Sequence, residues 1–169
     1  MSDQQTFSRG TVKAPFGTLT VLASDKGVRY CMFENDAHPK SFVGMNIVDN
    51  AQHPVLKDAL QQLREYFAGT RTKFTVKLDL KGTEFQVDAW KALAKVPYGK
   101  TWSYAQQATS IGRPTATRAI GAANGRNPVV VILPCHRIIG ANGALTGFGG
   151  GLPVKEWLLA HEQRNSARK

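Results

Sequence analysis

Residues Asn127 to Gly140 read "NPVVVILPCHRIIG". Five aliphatic residues run into Pro134, and a cysteine, a histidine and an arginine follow side by side. The chain has two cysteines, Cys31 and Cys135, so placing one of them here calls for a reason. A thiol attacks as its thiolate, and with an ordinary pKa of roughly 8.5 it needs a base to become one at neutral pH. His136 is a base in the adjacent position. Pro134 lacks an N–H and fixes its own φ, which steadies the approach to the thiol. Neighbours on a regular strand point to opposite faces, so either the chain turns at Pro134 or the histidine acts indirectly. Spacing alone leaves a second reading open, in which Cys135 packs in the core while His136 and Arg137 face water.

Upstream the pattern is helical. Thr83-Glu84-Phe85-Gln86 is a capping box, and Phe85, Ala89, Leu93 and Val96 follow on one face. "VPYGK" breaks that helix. Ser103-Tyr104-Ala105-Gln106 is a second capping box, opening a short helix that stops at Gly112. Pro114 stands at a first helical position, and "TATRAIGAAN" continues as helix until "GRNP" ends it. Two short helices about a glycine-containing turn make a helix-turn-helix candidate. The second is slim: Ala116, Ala119, Gly121, Ala122 and Ala123 let its backbone approach another surface, with Arg118 the one long side chain protruding. A merely solvated arginine is the alternative. Downstream, "LPVKEWLLAHE" has Pro153 at a helix start, with Val154, Leu158 and Glu162 at i, i+4 and i+8. Glu162 thus continues an apolar stripe, and a carboxylate aimed inward needs a partner.

The first half reads as strands plus one helix. "GTLTVLASDKGVRYCMF" predicts two strands joined at "SDKG", with Val28, Tyr30 and Met32 on one face of the second and Arg29, Cys31 and Phe33 on the other. "HPVLKDALQQLREYFAGT" predicts a helix with Pro54 in its first turn, a stripe of Leu56, Leu60, Leu63 and Phe67, and Gly69 as its stop. "KFTVKLDLK" alternates strictly, which predicts a strand with Phe74, Val76, Leu78 and Leu80 inward and Thr75, Lys77, Asp79 and Lys81 outward. No cluster of catalytic side chains stands out here, and Cys31 reads as a small core residue.

Composition sets outer limits. The 169 residues are 42% hydrophobic and 20% charged, enough to bury a core, without repeats or low-complexity runs. Two cysteines make no disulfide scaffold, and "MSDQQTFSRG" lacks a signal-peptide pattern, so a cytoplasmic protein is expected. "VVVIL" is far too short to span a bilayer, so no membrane partner is expected. The net charge of +10 is uneven: residues 1–81 carry 11 Lys+Arg against 8 Asp+Glu, whereas 82–169 carry 11 against 4. Such a basic half favours a polyanion, because each phosphate contact releases counterions.

Taken with "VPYGKTWSYAQQA", "GRPTATRAIGAANGRNP" and "TGFGGGLPVKEWLLAHE", the stretch at 127–140 resembles the active-site signature of the methylated-DNA–protein-cysteine methyltransferases, the alkylguanine-DNA alkyltransferase family. Pro-Cys-His-Arg followed by two aliphatic residues is highly specific to that family. The likeness covers nearly all of 83–162, whereas "APFGTLTVLAS" resembles the family's first strands less specifically. It is the bacterial constitutive type that the chain resembles. The resemblance implies an α+β fold: a ribonuclease-H-like sheet-plus-helix domain over 1–81, then a mainly helical DNA-binding and alkyl-transfer domain with a helix-turn-helix over 82–169.

It also implies a reaction. Cys135 takes the alkyl group from O6-alkylguanine, and from O4-alkylthymine, in duplex DNA after base flipping, and is spent. Glu162, His136 and a water form the proton network; Asn127 buttresses the turn; Tyr104 reaches the damaged base. Arg118 is the finger entering the duplex from the minor groove, and Thr117, Ala119, Arg126, Ile138 and Gly149 complete the DNA- and base-contacting set. The partner so implied is double-stranded DNA, met by a monomer, with cooperative assembly along it as a further expectation. No cofactor is implied. Some relatives hold zinc near the N-terminus, but here Ser24 stands where the resemblance puts a cysteine, so no metal is expected. Phe148 and Gly149 depart from the tyrosine and the serine or alanine of several relatives. The run Gly149-Gly150-Gly151 predicts a flexible, open pocket wall with room for larger alkyl groups. Two other classes compete. A non-catalytic lesion-binding relative would lack the cysteine, and a Cys–His hydrolase would leave the helix-turn-helix and the basic half unexplained.

Overall fold

Apolar and β-branched residues draw Thr6–Ala14 (β1), Gly17–Ser24 (β2) and Gly27–Phe33 (β3) into an antiparallel meander, and Asn46–Asp49 (β4) pairs in parallel with β1. The strand order is β3-β2-β1-β4 in this computed structural model, which describes residues 5–36 and 40–166. Pro54–Phe67 (α1) lies across one face, its Leu56, Leu60 and Leu63 in the main core with Val12, Leu19 and Val21. Gly69, at φ +83°, closes the helix in the left-handed conformation that glycine adopts freely.

Strict alternation fails in β3. Leu22 pairs with Tyr30 but Ala23 pairs with Val28, so Arg29 is an extra residue and the strand bulges there. The bulge turns Val28 into the main core beside Cys31 and Phe33, whereas Met32 and Tyr30 serve a smaller cluster on the opposite face.

The predicted strand at 73–81 is corrected to an extended segment with one bridge. Phe74, Val76, Leu78 and Leu80 do pack against the core, but only Leu78 pairs, with Val28. The outer edge of β3 is shared. Val28 donates to the Lys77 carbonyl (2.9 Å) and accepts from Asp79 N (2.9 Å); further along, Cys31 donates to the Pro128 carbonyl (2.8 Å) and accepts from Val130 N (3.0 Å). A continuous ladder has no room. Asp79, expected outward, turns to an ion pair with Arg29 at 3.0 Å and accepts from Ser24 Oγ at 2.6 Å.

Glu84–Leu93 (α2), Trp102–Ser103 (β5), Tyr104–Ser110 (α3), Thr117–Gly125 (α4), Ile138–Ile139 (β6) and Leu152–Ser166 (α5) make the second half. Both capping boxes form, on Thr83 with Gln86 and on Ser103 with Gln106. Helix α4 begins later than Pro114 suggests, because Arg113–Ala116 closes as a separate turn, with Ala116 N donating to the Arg113 carbonyl at 3.0 Å. Helices α2, α3 and α4 share a small core of Ala89, Ala108, Ile120 and Ala123, and their short side chains bring the backbones close. No helix among the described residues is long and apolar enough to cross a membrane.

Candidate active site

The nucleophile hangs on a braced turn. After α4, Asn127 is buried, donates from Nδ2 to the Leu133 carbonyl (2.7 Å) and accepts on Oδ1 from Val129 N (2.9 Å). This bridge spans a bend in which Val131 sits at φ +69°, a conformation a β-branched residue adopts only when its surroundings impose it. The "VVVIL" run is therefore a tight bend anchored on β3, not a buried strand. Pro134 then leads into a 3-10 turn over Cys135–Arg137, so the chain does turn at the proline.

That turn drives His136 and Arg137 inward toward α5. Glu162, fully buried, meets both: His136 Nε2 donates to Oε2 (2.6 Å), Arg137 Nε donates to Oε1 (2.8 Å) and Arg137 Nη2 to Oε2 (3.1 Å). Arg137 also donates from Nη1 to the Val96 carbonyl at 2.7 Å. Two donors come from elsewhere: Tyr66 Oη on α1 gives to Oε2 (2.6 Å), and Gly99 N gives to Oε1 (3.2 Å). Gly99 is at φ +76°, and a side chain there would run into Ser166, so "VPYGK" needs its glycine to deliver this N–H. Burial pushes the Glu162 carboxyl up, but the hydrogen bonds from His136 and Arg137 and the charge of Arg137 outweigh it and hold the group well below the usual carboxylate range. Glu162 is an anion, so His136 keeps its proton on Nε2. Burial, joined by the charges of Arg137 and Lys155, lowers the basicity of His136 against the pull of Glu162, leaving a neutral ring. Its Nδ1 is buried with no hydrogen-bond partner among the described residues, a lone pair free to accept a proton.

Cys135 is 7% exposed. Burial pushes its thiol up to about 11, against the pull of the Asn127 hydrogen bond and the Lys155 charge. Cys135 lines a cleft of about 40 Å³ with Tyr104, Gly147, Phe148, Gly149 and Lys155. Lys155 is buried, donating to the Ile138 carbonyl at 2.6 Å, and burial lowers its pKa. The Tyr104 and Thr146 hydroxyls are hydrogen-bonded to each other beside the same cleft. The arrangement supplies a protected thiol, a neutral base steadied by an anion, and a hydroxyl at the rim. It suits nucleophilic attack on an electrophile that enters the cleft.

Of the residues singled out from sequence, Cys135, Tyr104 and Gly149 line the cleft, while His136, Glu162 and Asn127 support it from behind. Thr117, Arg118 and Ala119 are exposed on the first turn of α4, and Arg126 is exposed just past its end. Ile138 is buried in the core and is not among the residues lining the cleft; β6 pairs with β5 and its side chain packs inward. The run Gly149-Gly150-Gly151 is closely backed at its first two positions. A Cβ at Gly150 would stand 2.8 Å from the Phe33 ring, and one at Gly149 would stand 3.0 Å from Asp36 Oδ1, so β3 and its following loop back the wall.

Tyr66, Arg137 and Lys155 were missed. A signal existed for Tyr66, which shares the α1 stripe with Leu56, Ala59 and Leu63; a hydroxyl carried inward needs an acceptor. Arg137 was legible only as the partner an inward Glu162 requires. Nothing in the local pattern marked Lys155. Among the described residues no group of three or more His, Cys, Asp or Glu side chains is arranged to hold a metal ion.

Two family models match the chain: the 6-O-methylguanine DNA methyltransferase ribonuclease-like domain over residues 8–80 and the DNA-binding domain of the same family over 84–164. The chain is 45% identical to a methylated-DNA–protein-cysteine methyltransferase of Mycolicibacterium paratuberculosis, across 92% of each. It is 44% identical to one of Methanosarcina acetivorans, across 89% of this chain and 94% of that one. Among solved structures it resembles Mycobacterium tuberculosis OGT in complex with DNA, with a TM-score of 0.84 and 41% identity over 95% of this chain and 94% of that one.

Proposed function

The chain belongs to the 6-O-methylguanine DNA methyltransferase family, and from that membership we propose that it repairs DNA by moving the alkyl group of O6-alkylguanine, or of O4-alkylthymine, irreversibly onto Cys135. The observation that carries this reading is the buried array of His136 and Glu162 behind a thiol whose cleft is rimmed by Tyr104.

The reacting carbon lies inside the base stack, so the nucleotide must leave it, at a cost of a few kcal/mol. The exposed Arg118 fills the gap from the minor-groove side, while Thr117, Ala119 and Arg126 present a thin, basic face to the backbone. Ionised in roughly one molecule in ten thousand at pH 7, a thiol at about 11 does not wait as thiolate. Its proton leaves as the sulfur attacks, relayed through a water to His136 Nδ1, and Glu162 stabilises the resulting imidazolium. The S–C bond forms as the C–O6 bond breaks, its electron pair goes to the purine, and the Tyr104 hydroxyl protonates a ring nitrogen. The product thioether has no good leaving group, and residues 82–169 contain no second cysteine to relay the alkyl group. The protein therefore acts once.

Intact mass after incubation with duplex carrying O6-methylguanine tests this. One added methyl, mapped to Cys135 and without turnover, is the expected result; an unmodified thiol overturns it. Cys135→Ala abolishes transfer and retains lesion binding.

A further inference from the structure

We propose that Tyr66, from the N-terminal half of the chain, is a positioning residue for alkyl transfer: its hydroxyl holds the Glu162 carboxylate so that His136 keeps Nε2–H and leaves Nδ1 to receive the Cys135 proton. The inference rests on the transfer reading of Cys135 and gives the first domain a part in the chemistry.

Three donors converge on Oε2 of Glu162: Tyr66 Oη at 2.6 Å, His136 Nε2 at 2.6 Å and Arg137 Nη2 at 3.1 Å. Tyr66 is wholly buried and fixed in place. Phe67, Phe74, Tyr98 and His161 surround its ring at centroid distances of 5.2 to 6.2 Å, and its carbonyl accepts from His161 Nε2 at 2.7 Å. Burial and the neighbouring carboxylate raise the phenol's pKa, so it stays protonated and donates throughout. A carboxylate oxygen already accepting from a phenol pulls less strongly on its remaining partner. Without the phenol, charge returns to Oε2 and favours the imidazolium, whose Nδ1 already carries a proton and cannot act as base. The other groups bearing on His136 are Lys155 on α5 and Arg137 and Cys135 of its own turn, with Tyr98 stacked over Arg137. Both cations oppose protonation of the ring. Tyr66 acts with them, through Glu162.

The test is the single-turnover transfer rate from duplex O6-methylguanine across about pH 5 to 9, a range that reaches below the ordinary titration of a histidine base. Tyr66→Phe is expected to move the rising limb to higher pH. Its rate near pH 6.5 falls about three- to tenfold and rejoins wild type near the alkaline end, with lesion-duplex affinity little changed and the melting temperature lowered by loss of a hydrogen bond to a buried charge. A fluorinated tyrosine at position 66, a stronger donor of the same shape, moves the limb the other way and decides the matter should Tyr66→Phe fail to fold. Superimposable profiles, an equal loss at every pH, or a downward shift in Tyr66→Phe would overturn the proposal. A wild-type protein that transfers no methyl sinks the transfer reading itself, and this inference with it.

Discussion

Arg137 lays its guanidinium on Glu162 through two hydrogen bonds, 2.8 and 3.1 Å long, in a site where the carboxylate has no exposure at all. Removing one charge of such a pair leaves the other buried and uncompensated. Glu162→Gln is therefore expected to cost about 3–5 kcal/mol, which thermal melting reads directly. The same pair gives stability a pH dependence. The folded carboxyl lies well below its ordinary value of 4.5, so its contribution is complete above that value and is lost as pH falls toward the folded one. Wild type should lose stability steeply in acid below that value, and Glu162→Gln should show a flatter profile there.

The Cys135 thiol, held at about 11 by burial, should be a poor nucleophile toward a small reagent in the absence of DNA. Iodoacetamide labelling at neutral pH is expected to be slow and to rise with pH, because only the thiolate reacts. Cys31, buried and pushed up to about 12, should label more slowly still. Lys155→Met removes a positive charge near the sulfur and should move the Cys135 labelling curve to higher pH. Peptide mapping of the labelled protein separates the two thiols.

Asn127→Ala strands the buried Val129 N and leaves the Leu133 carbonyl with only its bond from Cys135 N, 2.8 Å long. A buried N–H left unpaired costs about 1–3 kcal/mol. The bend at Val131 should relax once its brace is gone, displacing Cys135. Denaturant unfolding should show the loss in stability, and the transfer rate should fall while duplex affinity holds.

Arg118→Ala touches an exposed side chain on α4, so stability should change by no more than about 0.5 kcal/mol. Transfer from duplex should fall more than transfer from single strands, where no stack has to be held open. Equal losses on both substrates would contradict the finger role.

Much of this architecture was legible because local rules and tertiary structure agree. Both capping boxes form as written, α1 runs from Pro54 to a glycine stop, and the inward Glu162 found the partners its burial demands. What escaped prediction depends on pairing between distant segments. Strand β3 bulges at Arg29 because its edge serves both 77–79 and 128–130, a competition that no local window contains. Tyr66 and Glu162 are 96 residues apart, and helical spacing says only that each points inward. Ile138 lies in the core on a strand that pairs with Trp102–Ser103, a placement that no local window contains either.

The shared edge of β3 also bears on how the protein behaves in a crowded solution. Open sheet edges recruit strands from other molecules. Here one edge is occupied by segments of the same chain, and the other is β4, only four residues long. Part of that protection comes from residues 128–130, beyond the strands they shield. The first half produced alone would leave Cys31's amide and carbonyl without their acceptor and donor, and it should self-associate more readily than the chain of 169 residues.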